Sequence, residues 1–211
     1  MANPQISPTI VGNHTLKVRY CAQHFPAGSQ AQTASMVPDD ELTALFSSFC
    51  LNSFPAPAAL DAQAVSRKAV AMTSAEVGSM LKSDPGRGWM LRTSQALYAI
   101  TVEHPPYNAC AVRRMTPVGV SAVKNYISAV KEYVAARNGK LVNLPPQKTS
   151  TPDGVDISSY GQGMVDAAGV PLENFAVILS NYHGRAGGIW RADAGSGIGV
   201  EVRFVHALIK K

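Results

Sequence analysis

Residues 86–114, GRGWMLRTSQALYAITVEHPPYNACAVRR, constrain the fold more than any other part of the chain. Three segments there, residues 89–93, 97–104 and 109–115, are rich in the β-branched and aromatic residues that suit a pleated surface. The links between them are only a few residues long. A parallel crossover needs a dozen residues or more, so strands joined this closely run antiparallel. Pro105-Pro106 stops the middle strand, because proline has no amide to give to a ladder. The fold class read from this is α+β: a largely antiparallel sheet with a central three-stranded meander over about 88–115. N-terminal helices and a long helix over about 117–137 pack it.

Helical periodicity supplies those helices. Leu42, Leu45, Phe46, Phe49 and Cys50 recur at three- and four-residue intervals, behind Asp39 or Asp40 as a cap and ahead of Pro55 and Pro57. An alanine-rich helix is expected over about 57–71. A third is capped by Thr73 or Ser74, with Glu76 in the capping-box position, and ends at Ser83-Asp84-Pro85-Gly86. Thr116-Pro117 reads as the start of the long helix. Its face Val120, Val123, Ile127, Val130 and Val134 is expected to cover the meander. Asn138-Gly139 closes it, with the glycine in the left-handed conformation.

After a polar loop over 143–154, strands are expected over 157–165, 175–181, 188–192 and 200–208. The last two pair around DAGSGIG. Residues 1–37 read as an extended or peripheral segment with at most an edge strand over 16–20. Residues 38–211 read as a single α+β domain.

Charged residues make up 16% of the chain, against roughly 25% in typical domains, and its net charge is +5. The basic residues are scattered instead of forming the stripe that nucleic acid requires, which argues against that partner. No apolar run is long enough to span a bilayer. The first residues lack a signal-peptide pattern, which points to the cytoplasm. If a native leader is missing, the location is periplasmic or secreted.

Few motifs carry chemistry. Gly195–Gly199 leads into a strand, whereas a phosphate loop needs a helix start there, so it reads as a hairpin turn. The five histidines show no metal-ligand spacing, and neither a metal nor another cofactor is expected. No Cys-x-x-Cys pair occurs among Cys21, Cys50 and Cys110. Cys50 and Cys110 both read as core-facing, which makes a Cys50–Cys110 disulfide one expectation. A different expectation is a thiol-dependent hydrolase or acyl-transfer site with Cys110 as nucleophile beside His104 and Glu103, because a thiolate needs a base or a positive field nearby.

The leading expectation is a non-enzymatic binding module. Arg87, Arg92, Arg113 and Arg114 share the meander with one obvious carboxylate, Glu103. Arginine's planar fork suits carboxylate and phosphate groups. A basic concave edge of Arg87, Arg92 and Arg113 or Arg114, with Tyr107 beside it, would take an anionic small molecule or an acidic partner surface. A further reading is an exported bacterial protein that contains one disulfide.

Overall fold

The computed structural model describes residues 40–82, 84–116, 123–183 and 199–209. The N-terminal segment, the 188–192 strand, the glycine turn at 195–199 and the start of the long helix near Pro117 lie outside those residues.

Helix α1 (Asp40–Phe46) runs into a π-helical turn, Ser47–Ser53. The apolar stripe seen in the sequence explains both: Leu42, Leu45, Phe46, Phe49 and Cys50 are all fully buried. Helix α2 (Pro57–Ser66) is shorter than its alanine content suggests, because the chain leaves it to form β1 (Val70–Ala71) at the sheet edge. Helix α3 (Ser74–Leu81) starts with the expected capping box: Thr73 Oγ1 accepts from the Glu76 amide, and the Glu76 carboxylate accepts from the Thr73 amide.

The meander follows as β2 (Gly86–Arg92), β3 (Leu97–Glu103) and β4 (Ala109–Thr116). After α4 (Lys124–Ala135) come β5 (Lys140–Asn143), β6 (Gln147–Ser150), β7 (Asp156–Val165), β8 (Pro171–Asn181) and β9 (Val200–Leu208). The strands form one sheet in the order β1-β2-β3-β4-β9-β8-β7-β5, with β6 also pairing with β7. Every pairing is antiparallel. The fold is therefore α+β, with helices packed on a largely antiparallel sheet.

The packing of the helices, the end of α4 and the place of β9 add detail to these expectations. The described part of the long helix packs on β9 and β8: its Tyr126 ring lies 4.4 Å from Phe204 of β9, and Tyr133 lies 5.7 Å from Phe175 of β8. On the meander pack α1 and the π turn, for example where Phe49 meets Trp89 at 6.3 Å. Asn138, not Gly139, adopts the left-handed conformation after α4. Gly139 serves close approach, since a Cβ there would lie 2.7 Å from the Met164 side chain. Finally, β9 lies between β4 and β8, which pair with its two edges, and the expected 188–192 strand lies outside the described residues.

Register sorts the side chains onto two faces, because successive residues of a strand point to opposite sides. Trp89, Leu91, Tyr98, Ile100, Val102, Cys110, Val112, Val202, Phe204, Phe175 and Val177 line the helix-covered face and form the core. The second face is built largely from small residues near its centre: Gly88, Ala99, Ala109, Ala111 and Ala176.

Candidate functional site

Alternation decides where the expected site residues go, and it splits them. Arg87 pairs with Val102, and Arg114 with Tyr98, so both belong to the helix-covered face. Arg92, opposite Leu97, and Arg113, opposite Ala99, belong to the second face. The single basic edge of Arg87, Arg92 and Arg113 or Arg114 is thus not assembled. Arg87 reaches α2, where it bonds Asp61 at 2.8 Å and the Pro57 carbonyl at 3.1 Å, and its guanidinium lies 4.8 Å above the Trp89 ring. Tyr107 sits in the turn between β3 and β4, with its amide on the His104 carbonyl.

The thiol arrangement is split by the same rule. Cys110, opposite Val102, faces the core, while Glu103, opposite Ala109, faces away from it. His104 lies in the exposed turn beyond β3. Cys110 is bonded to Cys50, with the two Cα atoms 5.3 Å apart, and both residues are fully buried. A sulfur in a disulfide has no proton to lose, so the Cys110–His104–Glu103 set lacks a nucleophile in this structure.

The second face does gather charge. Arg113 and Arg203 are direct neighbours across β4 and β9. Both turn towards Glu201: Arg203 donates to its Oε1 at 2.8 Å, and Arg113 comes within 3.9 Å of the same oxygen. Arg113 also donates to Thr101 Oγ1 at 2.9 Å, and its Nε has no hydrogen-bond acceptor among the described residues. Arg113 and Glu201 are buried, whereas the Arg203 side chain stays 27% exposed and can be reached from solvent.

Glu103 acts electrostatically on both arginines, Arg203 acts on Lys82, and Asp84 acts on Lys82 and Glu103. Burial pulls the Arg113 guanidinium down to about 10, and Arg203 acts in the same direction against Glu201 and Glu103, so it remains a cation at neutral pH. For Arg203 burial also works against the charge, but the Glu201 carboxylate and its hydrogen bond outweigh this. Burial raises the Glu103 carboxyl, with Arg113 and Arg203 opposing. Partial burial lowers the Lys82 ammonium, helped by Arg203. Of this cluster, Arg113 and Glu103 were legible as site candidates. Glu201 and Arg203 were not, because only the pairing of β9 with β4 brings them beside Arg113.

A second polar group lies inside the core. His206 is fully buried, with Nδ1 2.7 Å from the Cys50 carbonyl oxygen and Nε2 2.6 Å from Glu173 Oε2. Among the described residues, no group of three His, Cys, Asp or Glu side chains is arranged to hold a metal ion. No described helix is long and apolar enough to cross a membrane.

Comparison with protein-family models, with curated proteins and with solved structures found no match for this chain.

Proposed function

We propose that the chain is a non-enzymatic binding module that recognises an acidic group, on a small molecule or on a partner's surface, through the second face of its sheet. One observation carries this reading: two arginines meet on one carboxylate, and one of them, Arg203, is partly exposed. An incoming carboxylate or phosphate would engage the guanidinium of the partly exposed Arg203 in place of Glu201, with Arg113 beside it as a fixed positive charge. Guanidinium groups suit this because they bind both kinds of anion bidentately.

The buried disulfide supports a compartment for the module. Such bonds persist in oxidising surroundings and are rare in the cytosol, so an exported protein is the reading it favours.

The test is titration calorimetry and thermal shift with inorganic phosphate, succinate and an acidic peptide. At least one probe is expected to bind, more weakly as salt is added, and to lose most of its affinity in Arg203→Gln. Absence of binding by all three, or equal binding by Arg203→Gln, would overturn the proposal.

A further inference from the structure

Helix α3 lies against the second face of the sheet. Its Leu81 side chain and the Met72 sulfur close on Gly86 and Gly88, the residues of β2 that point to that face. The sheet is incomplete at this rim. β1 pairs with β2 only opposite Trp89 and Met90, and beyond them the Met72 amide donates to the Gly88 carbonyl at 2.9 Å. Among the described residues no strand runs along the outer edge of Gly86 and Arg87. A cavity of about 360 Å³ opens between that edge and α3; Met72, Val77, Gly78, Lys82, Asp84 and Arg87 are among the residues that line it.

Three features of this lining point to a ligand. First, Gly78 stands inside a helix, with nothing within 4 Å of where its Cβ would be. No close approach calls for glycine there, and glycine weakens a helix; its effect is to widen the cavity. Second, Lys82 and Asp84 bring opposite charges to the same cavity. Among the described residues neither side chain makes a hydrogen bond or an ion pair, although the Asp84 charge is felt at Lys82. Arg87, by contrast, is committed to Asp61 and the Pro57 carbonyl. Third, Lys82 holds a left-handed backbone with φ 61°. Conformation alone would favour glycine at such a position, and outliers of this kind cluster at ligand sites.

We propose that this cavity binds a free α-amino acid with an apolar side chain, its carboxylate on Lys82 and its ammonium on Asp84. The apolar part of the ligand packs on Met72 and Val77, and the unbranched thioether of methionine adapts to side chains of different shape. The volume falls at the small end of ligand pockets, which span roughly 300–1,000 Å³, so the ligand is a small one. A molecule with only one of the two charges would take the other wall group out of water without a partner, which is costly. The zwitterion satisfies both. The site is separate from the Arg113, Glu201 and Arg203 cluster, which recognises an acid; the cavity recognises a ligand of no net charge.

The test is titration calorimetry of the whole chain with L-leucine, L-methionine and L-phenylalanine. Two further probes are 4-methylpentanoate, which is leucine without its ammonium, and 3-methylbutylamine, which is leucine without its carboxylate. At least one amino acid is expected to bind, and each single-charge analogue to bind roughly tenfold or more weakly, the loss that follows from one charged hydrogen-bond partner. Lys82→Gln and Asp84→Asn are expected to weaken the amino acid by a similar factor. Gly78→Leu, which fills the cavity from a helix position with room for a side chain, is expected to abolish binding while circular dichroism shows the fold intact. Arg203→Gln, which disables the acid site, should leave amino-acid binding in place. No binding by any of the three amino acids, equal binding by a single-charge analogue, or unchanged affinity in Lys82→Gln, Asp84→Asn or Gly78→Leu would overturn the proposal. Loss of binding in Arg203→Gln would put the ligand on the other site and overturn it as well.

Discussion

Glu201 and Glu103 lie on the same face of the sheet, yet their surroundings give them opposite energetic roles. Glu201 is buried and receives Arg203 directly, with Arg113 close by. Removing it leaves a buried guanidinium short of its counter-charge, which is among the more damaging single changes available to a fold. Glu201→Ala is expected to lower stability by about 3 kcal/mol or more in urea unfolding at neutral pH. Glu103 presents the reverse case, because burial raises its carboxyl despite the two arginines. An acid raised in the folded state stabilises less as it ionises, so the charged form is a net cost above that value. Glu103→Gln is therefore expected to match or exceed the wild-type melting temperature at pH 7. The gap should close as pH falls towards the ordinary carboxylate range. A loss as large as that of Glu201→Ala would mean that Glu103 is a principal partner of the arginines.

The glycines flanking Arg87 show what an element needs from its neighbour. In the fold they allow α3 and Met72 to lie directly on β2. A Cβ at Gly86 would stand 2.3 Å from Leu81 Cδ1 and 2.4 Å from the Val102 carbonyl, and one at Gly88 would stand 2.7 Å from the Ile100 carbonyl. Gly88→Ala is expected to cost about 1–3 kcal/mol, as overpacking of a tight contact does. Gly78, within α3, has nothing within 4 Å of a Cβ, and Gly78→Ala should stabilise by about 0.5–1 kcal/mol through helix propensity alone. Thermal melts of the two variants would show opposite signs; the same sign in both would refute the packing of α3. The elements that could be read from the sequence share one property, a dense apolar rhythm. VEVRFVHAL alternates throughout, and β9 has the limits expected of it. KLVN and QKTS are exposed edge segments with little apolar alternation, so β5 and β6 were not anticipated. The site was half legible for a related reason. Composition marks Arg113 and Glu103 as unusual in a sheet, but only long-range pairing sets Glu201 and Arg203 beside them.

At the scale of the whole molecule, the helical layer and the sheet are held together by apolar contact, by polar links such as Arg87–Asp61 and His206–Cys50, and, among the described residues, by one covalent bond. Cys50 leaves the π turn and Cys110 the middle of β4, so the bridge joins the two layers near the centre of the core. Its partners are 60 residues apart in sequence, and closing a loop of that length restricts the unfolded chain by about 4 kcal/mol in the chain-entropy model. Replacing both cysteines with alanine is expected to remove stability of that order. For a chain of this size that corresponds to a fall of about 8–16 °C in melting temperature. The same bond allows a direct count. Cys21 is the one cysteine outside the pair, so denaturation without reductant should expose one reactive thiol, and reductant should raise the number to three. Three thiols before reductant, in protein taken from its own cell under acid quench, would show that the bridge does not form there. The oxidising-compartment reading would fall with it, while the antiparallel sheet, which depends on strand pairing and not on the bridge, would remain.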